Sequence, residues 1–172
     1  MDGSAAIATT PPESNDINPY WSPDGFRIGF TSDRSGQSEV WTMNIDGSDA
    51  IQLTDIGTLG HTARWSPDGK WLLFTSLASG NRDIWAVNSS GQDLRQLTTS
   101  PSQDAHGLWS PDGQSVLYLS DHQRVMIRDF AEDTHKLVFE LGETIDYVHL
   151  SSDGSLFQFT RQKVEGDVWL IE

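Results

Sequence analysis

Trp21-Ser22-Pro23-Asp24-Gly25 decides the fold, because the same five residues return at Trp65–Gly69 and at Trp109–Gly113. Each copy lies 44 residues after the previous one, and an altered copy, Leu150–Gly154, follows 41 residues after the third. A fixed period in the forties, with an aromatic residue and a turn dipeptide in each unit, is typical of stacked supersecondary units. The sequence therefore predicts a repeat protein.

The second unit shows what each repeat encodes. Residues 63–66, 70–76, 83–88 and 93–98 are short runs without a helical period, separated by turns that contain Gly69, Gly80 and Gly91. The Asp-Gly dipeptide supplies the positive φ angles of a tight hairpin. We therefore predict an all-β fold in which each unit is a four-stranded antiparallel meander. Four such meanders stacked around an axis form a β-propeller.

The two ends of the chain align with the repeat. Residues 2–7 match residues 46–51, and residues 167–172 match residues 39–44. We predict that the N-terminal strand pairs with the last three strands and closes a ring, which would remove the exposed sheet edges. The whole chain, 1–172, is then one domain: an outer strand at about 1–10, and blades at about 16–54, 60–98, 104–140 and 145–172 plus 1–10.

Composition restricts the partners and the chemistry. The 172 residues carry a formal charge of −14 with a pI near 4.5, which argues against nucleic acid or an anionic membrane as a partner. No cysteine is present, so disulfides, thiolate metal sites and cysteine nucleophiles are excluded. No apolar run is long enough for a membrane span. No signal peptide is visible, and an upstream segment missing from this chain stays open.

The repeated residues resemble the TolB-type β-propeller repeat, a WD40-like family found mainly in bacteria. The resemblance rests on Pro19–Gly25, Ile28–Ser32, Val40–Asn44 and Gln52–Thr54 in the first unit, and on their counterparts in the second and third. It implies recognition rather than chemistry, and a periplasmic or other extracytoplasmic location. Related propellers also cap peptidases or sit on sensor kinases, and one lyase group holds a metal through His and Gln in its channel.

The last two units depart from the repeat. The turn at residues 121–124 is three residues shorter than the corresponding segment at 33–39, Met126 replaces a tryptophan, and Leu150 replaces the inner tryptophan. Family propellers more often have six or more blades than four. Two oligomeric states therefore stay open: a four-bladed monomer, and a homodimer whose two chains share an eight-bladed ring.

Sequence motifs of catalysis are missing. The chain has no Gly-x-Ser-x-Gly elbow, no His-Glu-x-x-His, no phosphate loop and no EF-hand loop. We predict that the protein is not an enzyme and holds no cofactor. The aspartates of the Asp-Gly turns are explained by local hydrogen bonds. Glu39, Asp83 and Asp167 share a position two residues before a tryptophan, where a buried or half-buried acid that pairs with backbone N–H groups is favoured over a calcium ligand.

Candidate binding residues lie where the units disagree, because shared positions build the scaffold and variable ones are free for function. These segments come just before each inner strand, and we expect them to meet at a channel mouth. The candidate ligand-binding residues are Asp16, Asn18, His61, Asp104, His106 and Asp146, together with Arg64 and His149. The last two come one residue before the tryptophan or its replacement and alternate to a different side, where lining the channel and packing both stay open. Two histidines among carboxylates would also suit a divalent cation, although a polar, water-filled funnel is favoured. His122 and His135 are predicted at the surface, and the six repeat tryptophans in blade packing.

The favoured function is a non-enzymatic scaffold that presents inter-blade loops to a protein or small-molecule partner. Three alternatives stay open. The chain is a cap or sensor module of a larger enzyme or kinase, or it carries a metal-dependent lyase-like site that needs His61 and His106 on one ion, or it is an engineered repeat array with no task beyond folding.

Overall fold

The fold is that of a computed structural model, which describes residues 10–58, 63–161 and 167–171. These residues form four antiparallel sheets, each a meander in chain order, and no helix. The first sheet contains β1 (Asp16–Trp21), β2 (Arg27–Ser32), β3 (Glu39–Asn44) and β4 (Ile51–Gln52). The second contains β5 (Arg64–Trp65), β6 (Trp71–Ser76), β7 (Asp83–Asn88) and β8 (Leu94–Gln96). The third contains β9 (Asp104–Trp109), β10 (Ser115–Ser120), β11 (Arg124–Asp129) and β12 (Thr134–Glu140). The fourth contains β13 (Ile145–Leu150), β14 (Phe157–Arg161) and β15 (Asp167–Ile171). No helix long and apolar enough to cross a membrane occurs within these ranges.

The hairpin between the first two strands of each sheet is built the same way in all four units. In the first unit, the Ser22 hydroxyl donates to Asp24 Oδ1 over 2.6 Å, and Phe26 N–H donates to the same oxygen. The serine–aspartate bond recurs at 2.6 Å in the other three hairpins. Gly25 follows with φ 77°, a conformation that glycine adopts at low cost. The local role predicted for these aspartates is confirmed.

The core lies between consecutive sheets rather than within one sheet. Each of three buried clusters takes side chains from two neighbours in the chain order, so the sheets cover one another face to face. Val40 and Leu53 of the first sheet pack against Leu72, Phe74 and Val87 of the second. This mutual burial is the reason the apolar positions recur at fixed offsets.

The inner tryptophans join each sheet to the one before it. The Trp65 indole N–H donates to the carbonyl of Tyr20 over 3.1 Å, and the Trp109 indole N–H donates to that of Arg64 over 3.2 Å. Trp21 opens the series and is 63% exposed. The packing role predicted for the inner tryptophans is therefore confirmed for the second and third sheets and is wrong for Trp21, since no described sheet lies against the equivalent face of the first one.

Buried acids tie the third strands to the following connection. Glu39 is fully buried and accepts hydrogen bonds from the Thr54 hydroxyl and from Gly57 N–H, the latter over 2.8 Å. Asp83 is 1% exposed and accepts from the Thr98 hydroxyl over 3.0 Å. The predicted pairing with backbone N–H groups is confirmed for Glu39 and is wrong for Asp83, whose hydrogen-bond donors are side chains. The side chain of Asp167 lies outside the described residues.

The predicted all-β fold and the four repeat units are thus present as four propeller-like sheets of four, four, four and three strands. The predicted closure of the ring depends on residues 1–9, which lie outside the described residues. That part of the prediction stays a prediction.

Candidate functional site

The candidate binding residues separate into two groups along the inner strands β1, β5, β9 and β13. Five of them lie where inner strands begin: Asp16, Asn18, Asp104, His106 and Asp146. Arg64 and His149 lie near the other end of these strands, next to the Trp-Ser-Pro-Asp-Gly turns or their altered copy. His61 lies outside the described residues. The sequence placed the first group at one channel mouth and left the side taken by Arg64 and His149 open.

Asn18 and His106 occupy a bulge in their strands. Both have positive φ, 52° and 56°, and the pairing of β1 with β2 and of β9 with β10 shifts register at these positions. A bulge bends the strand and turns a side chain away from the regular alternation. The bulge therefore moves the side chains of Asn18 and His106 out of the regular alternation between the two faces of the sheet.

Four side chains from three sheets meet beside this bulge, and we call Arg82, His106, His122 and Tyr147 the start-side cluster. The His106 ring lies 5.8 Å from the ring of Tyr147 and 6.1 Å from that of His122, in edge-to-face arrangements. Arg82 Nη1 lies 3.4 Å from His122 Nε2, and His122 Nδ1 lies 3.3 Å from the Ile145 carbonyl oxygen. These partners fit a ring with its hydrogen on Nδ1, which donates to the carbonyl, and with Nε2 accepting from Arg82.

Sequence reasoning missed three members of this cluster, Arg82, His122 and Tyr147. The shortened turn before β11 is the signal that could have found His122, because it brings this residue against the start of β13. Ile145 N–H donates to the His122 carbonyl over 2.6 Å, which fixes the turn. His122 is half-buried, so it lies partly at the surface, as predicted, and partly against the start of β13.

The acids at the starts of β1 and β9 have structural partners. Burial raises the pKa of Asp16, but hydrogen bonds from Ser14, Ser32 and Arg34 outweigh it and hold the pKa at about 2. Asp104 occupies the equivalent position, is fully buried, and accepts from the Ser100 hydroxyl over 3.1 Å. Burial raises the pKa of Asp104, whose Oδ1 has no partner within the described part of the chain. Asp146 is half-buried at the start of β13.

A further cavity, of about 310 Å³, lies beside the connection from β8 to β9 and contains a pair formed by a hydroxyl and an imidazole. Tyr118 stands where the first two units have Phe30 and Phe74, and its hydroxyl forms a hydrogen bond with His135 Nδ1 over 2.8 Å. Burial, together with the Asp104 carboxylate, raises the pKa of Tyr118 to about 12, and burial lowers the pKa of His135. His135 as a whole residue is exposed, as the sequence predicted.

No group of three or more His, Asp, Glu or Cys side chains suited to a metal ion occurs among the residues that the structure describes. The hypothesis of an ion shared by His61 and His106 depends on a residue outside that part of the chain. The start-side cluster contains two imidazoles, a phenol and a guanidinium, groups that suit hydrogen bonding and stacking.

A cavity of about 290 Å³ lies at the turn end of the inner strands, and we call it the turn-side cavity. All four sheets contribute to its wall, with Tyr20, Arg64, Leu108 and His149 from the same repeat position. The inner tryptophans and the prolines of the three Trp-Ser-Pro turns complete the wall together with Leu150 and neighbouring serines. No acidic side chain is among the residues that line it. The structure thus brings Arg64 and His149 together, away from the other candidates.

Comparison with known proteins identifies a family and solved structures with this architecture. The model of the TolB beta propeller domain matches residues 1–76 and 58–169, whereas no curated protein matches the chain. The structure of TolB from Acinetobacter baumannii superposes with a TM-score of 0.80 at 22% identity, over 99% of this chain and 44% of that one.

Two further solved structures are similar. A protein described as TolB from Agrobacterium tumefaciens has a TM-score of 0.62 at 28% identity, over 74% of this chain and 51% of that one. A chain of a nidogen–laminin complex has a TM-score of 0.67 at 16% identity, over 86% of this chain and 56% of that one. The chain thus spans about half the length of the two TolB structures. Because the family model covers nearly the whole chain, the protein belongs to the TolB β-propeller family.

Proposed function

We propose that the protein is a non-enzymatic propeller scaffold that binds another protein through the start-side cluster. The observation that carries the proposal is the meeting of Arg82, His106, His122 and Tyr147 from three sheets, at positions where the repeat units differ. Shared positions in the same strands bury the core, so the scaffold keeps its shape while these side chains vary.

The chemistry of the cluster suits a protein partner. Tyr147 is 62% exposed, and tyrosine and arginine are enriched among the residues that dominate binding energy at protein interfaces. The His106 ring lies beside Tyr147 and the His122 ring lies beside that of His106, and both supply hydrogen-bonding nitrogens. One of the similar folds belongs to a nidogen–laminin complex, so an array of this kind occurs in an assembly of two proteins. An extracytoplasmic location is part of the proposal and is supported by the family.

The test is a retention experiment with matched variants. The purified chain is immobilised, incubated with an extract of the source cells, and the retained proteins are identified by mass spectrometry. We expect a protein that is retained by the wild type and lost at least tenfold by the His106→Ala, Tyr147→Ala double variant. Leu137→Ala, Val138→Ala is the control, since both residues are about half exposed on the outer strand β12. Equal retention by the two double variants, or no retention by the wild type, would contradict the proposal.

We also propose that residues 1–10 add the outer strand to the fourth sheet of the same chain. The fourth sheet has three strands in the described ranges, and Thr42 pairs with Ile51 in the first sheet. The repeat makes Leu170 and Ile7 the equivalent pair. In an Ile7→Cys, Leu170→Cys variant, closure within one chain gives a disulfide-linked monomer near 19.1 kDa. A disulfide-linked dimer would instead indicate a ring shared by two chains, and no disulfide would rule out this strand pairing.

A further inference from the structure

Arg64 differs from the other arginines in its surroundings. Five of the seven arginines whose side chains the structure describes form ion pairs with carboxylates: Arg27, Arg34, Arg95, Arg124 and Arg128. Arg82 is hydrogen-bonded to His122. Arg64 has no carboxylate within the described residues, although the chain carries a formal charge of −14. Because Arg64 has no ion-pair partner in the described part of the chain, its guanidinium is available to bind an anion from outside the protein.

The guanidinium is held in place by stacking, and no side-chain hydrogen bond to it occurs within the described residues. It stacks over the ring of Tyr20, with Cζ 4.7 Å from the centroid. The backbone is fixed as well, because the Arg64 carbonyl accepts from the Trp109 indole. Nε is buried and has no partner among the described residues. A buried donor left unpaired is unfavourable, and an acceptor that reaches it would remove this penalty.

The wall around Arg64 indicates which anion fits. The turn-side cavity holds about 290 Å³ and is lined by tryptophan, proline and leucine side chains together with four serines, Tyr20 and His149, with no acid among them. A fully hydrated inorganic ion would leave these apolar surfaces uncovered. A carboxylate attached to an apolar or aromatic body would meet the guanidinium with its oxygens, in the bidentate geometry that arginine favours, and would bury its body against the wall.

We propose that the turn-side cavity is a binding site for an apolar or aromatic carboxylate, with Arg64 as the group that holds the carboxylate. This site lies at the opposite end of the inner strands from the start-side cluster, so it is a function separate from protein binding there. The carboxylate comes either from a free small acid or from the C-terminus of a peptide with an apolar last residue. Both sources present the same group to Arg64.

The test uses 4-fluorophenylacetate as the probe and its neutral analogue 4-fluorophenylacetamide, followed by ¹⁹F NMR titration of the full chain. We expect saturable binding of the acid, at least tenfold weaker binding of the amide, and weakening of the acid by added salt. Equal binding of the acid and the amide, or no binding of either, would overturn the proposal, and this measurement needs only the wild-type protein.

Matched variants locate the site. Arg64→Gln should weaken binding of the acid at least tenfold, whereas Arg95→Gln should leave it within twofold. Arg95 is the control because it also stacks on an aromatic ring, that of Trp71 at 4.4 Å, but is paired with Asp93. Equal loss in both variants, with folding verified by circular dichroism, would exclude Arg64 as the anchor. If Arg64→Gln does not fold, Arg64→Lys tests the same point, because it keeps the charge and loses the bidentate geometry.

A second pair of probes separates the two sources of the carboxylate. A short peptide that ends in phenylalanine is compared with the same peptide carrying a C-terminal amide. Tighter binding of the acid peptide than of 4-fluorophenylacetate assigns the site to protein C-termini. Binding of the small acid alone assigns it to free carboxylates.

Discussion

Alanine at position 29 would place a methyl group in the contact between the first and second sheets. A Cβ built on Gly29 lies 2.6 Å from Leu72 Cδ2 and 2.8 Å from Trp65 Nε1. Carbon atoms in favourable contact lie about 3.5–4.0 Å apart, so the two sheets must separate by about 1 Å at this point. Leu72 is fully buried, so any movement of its side chain also displaces its neighbours in the core.

The expected change follows from three contributions. Overpacking of this kind costs about 1–3 kcal/mol, and weakening the hydrogen bond from Trp65 to Tyr20 adds about 1 kcal/mol. Replacing glycine by alanine in a strand offsets about 0.5–1 kcal/mol of this. We therefore expect Gly29→Ala to lower the free energy of unfolding by about 1–3 kcal/mol. For a chain of 172 residues, this corresponds to a fall in Tm of roughly 2–12 °C.

Urea unfolding followed by tryptophan fluorescence measures this difference. Gly142→Ala is the matched control, because a Cβ there has no atom within 4 Å, and its stability should change by no more than about 0.5 kcal/mol. Gly107→Ala should fall between the two, since its nearest contact is 3.2 Å from Ile84 Cγ2. Equal unfolding midpoints for Gly29→Ala and Gly142→Ala would show that the first two sheets are not packed as described.

Three further predictions concern single side chains. Glu39→Gln should lower the free energy of unfolding by about 2–3 kcal/mol, because a fully buried carboxylate that only accepts hydrogen bonds is replaced by an amide that also donates; unchanged urea unfolding would contradict it. Hydrogen bonds from Ser151 lower the pKa of Asp153 to about 2, so its stabilising effect is present above about pH 4 and is lost as the pH falls towards 2. The advantage of the wild type over Asp153→Asn should therefore disappear over that range in thermal melts, and an advantage independent of pH would refute this origin. Tyr118→Phe restores the residue of the first two units and removes one hydrogen bond to His135, so it should cost about 1 kcal/mol in urea unfolding; a loss above roughly 3 kcal/mol would indicate a larger network.

The hairpins and strands could be predicted from the sequence because their causes are local. In each Asp-Gly turn, a serine two residues before the aspartate donates a hydrogen bond to it. The same short motif therefore forms the same turn in every unit. The runs at 70–76 and 83–88 became β6 and β7 within one residue of the expected bounds. The burial of the acids Glu39 and Asp83 could also be predicted from their shared repeat position.

The candidate site could be predicted from the sequence only in part, because its contacts are not local. His106 was found because it breaks the repeat, but Arg82, His122 and Tyr147 come from different units. Their meeting depends on how the third turn packs on β13 and on the bulge in β9. A bulge re-aims a side chain and locally disrupts the strand pairing. The contacts of the cluster join residues of different units, so no single stretch of sequence contains them.

The sequence by itself determined the repeat, the strands, the turns and the family of this protein, because each depends on residues close together in the chain or on a fixed period. The tertiary structure decided that Arg64 and His149 share one cavity, that Asp104 is buried and that Trp21 is exposed. These outcomes depend on which sheets lie against one another and at what distance. Such contacts join residues that are 40 or more positions apart, and the geometry of the assembled sheets fixes them.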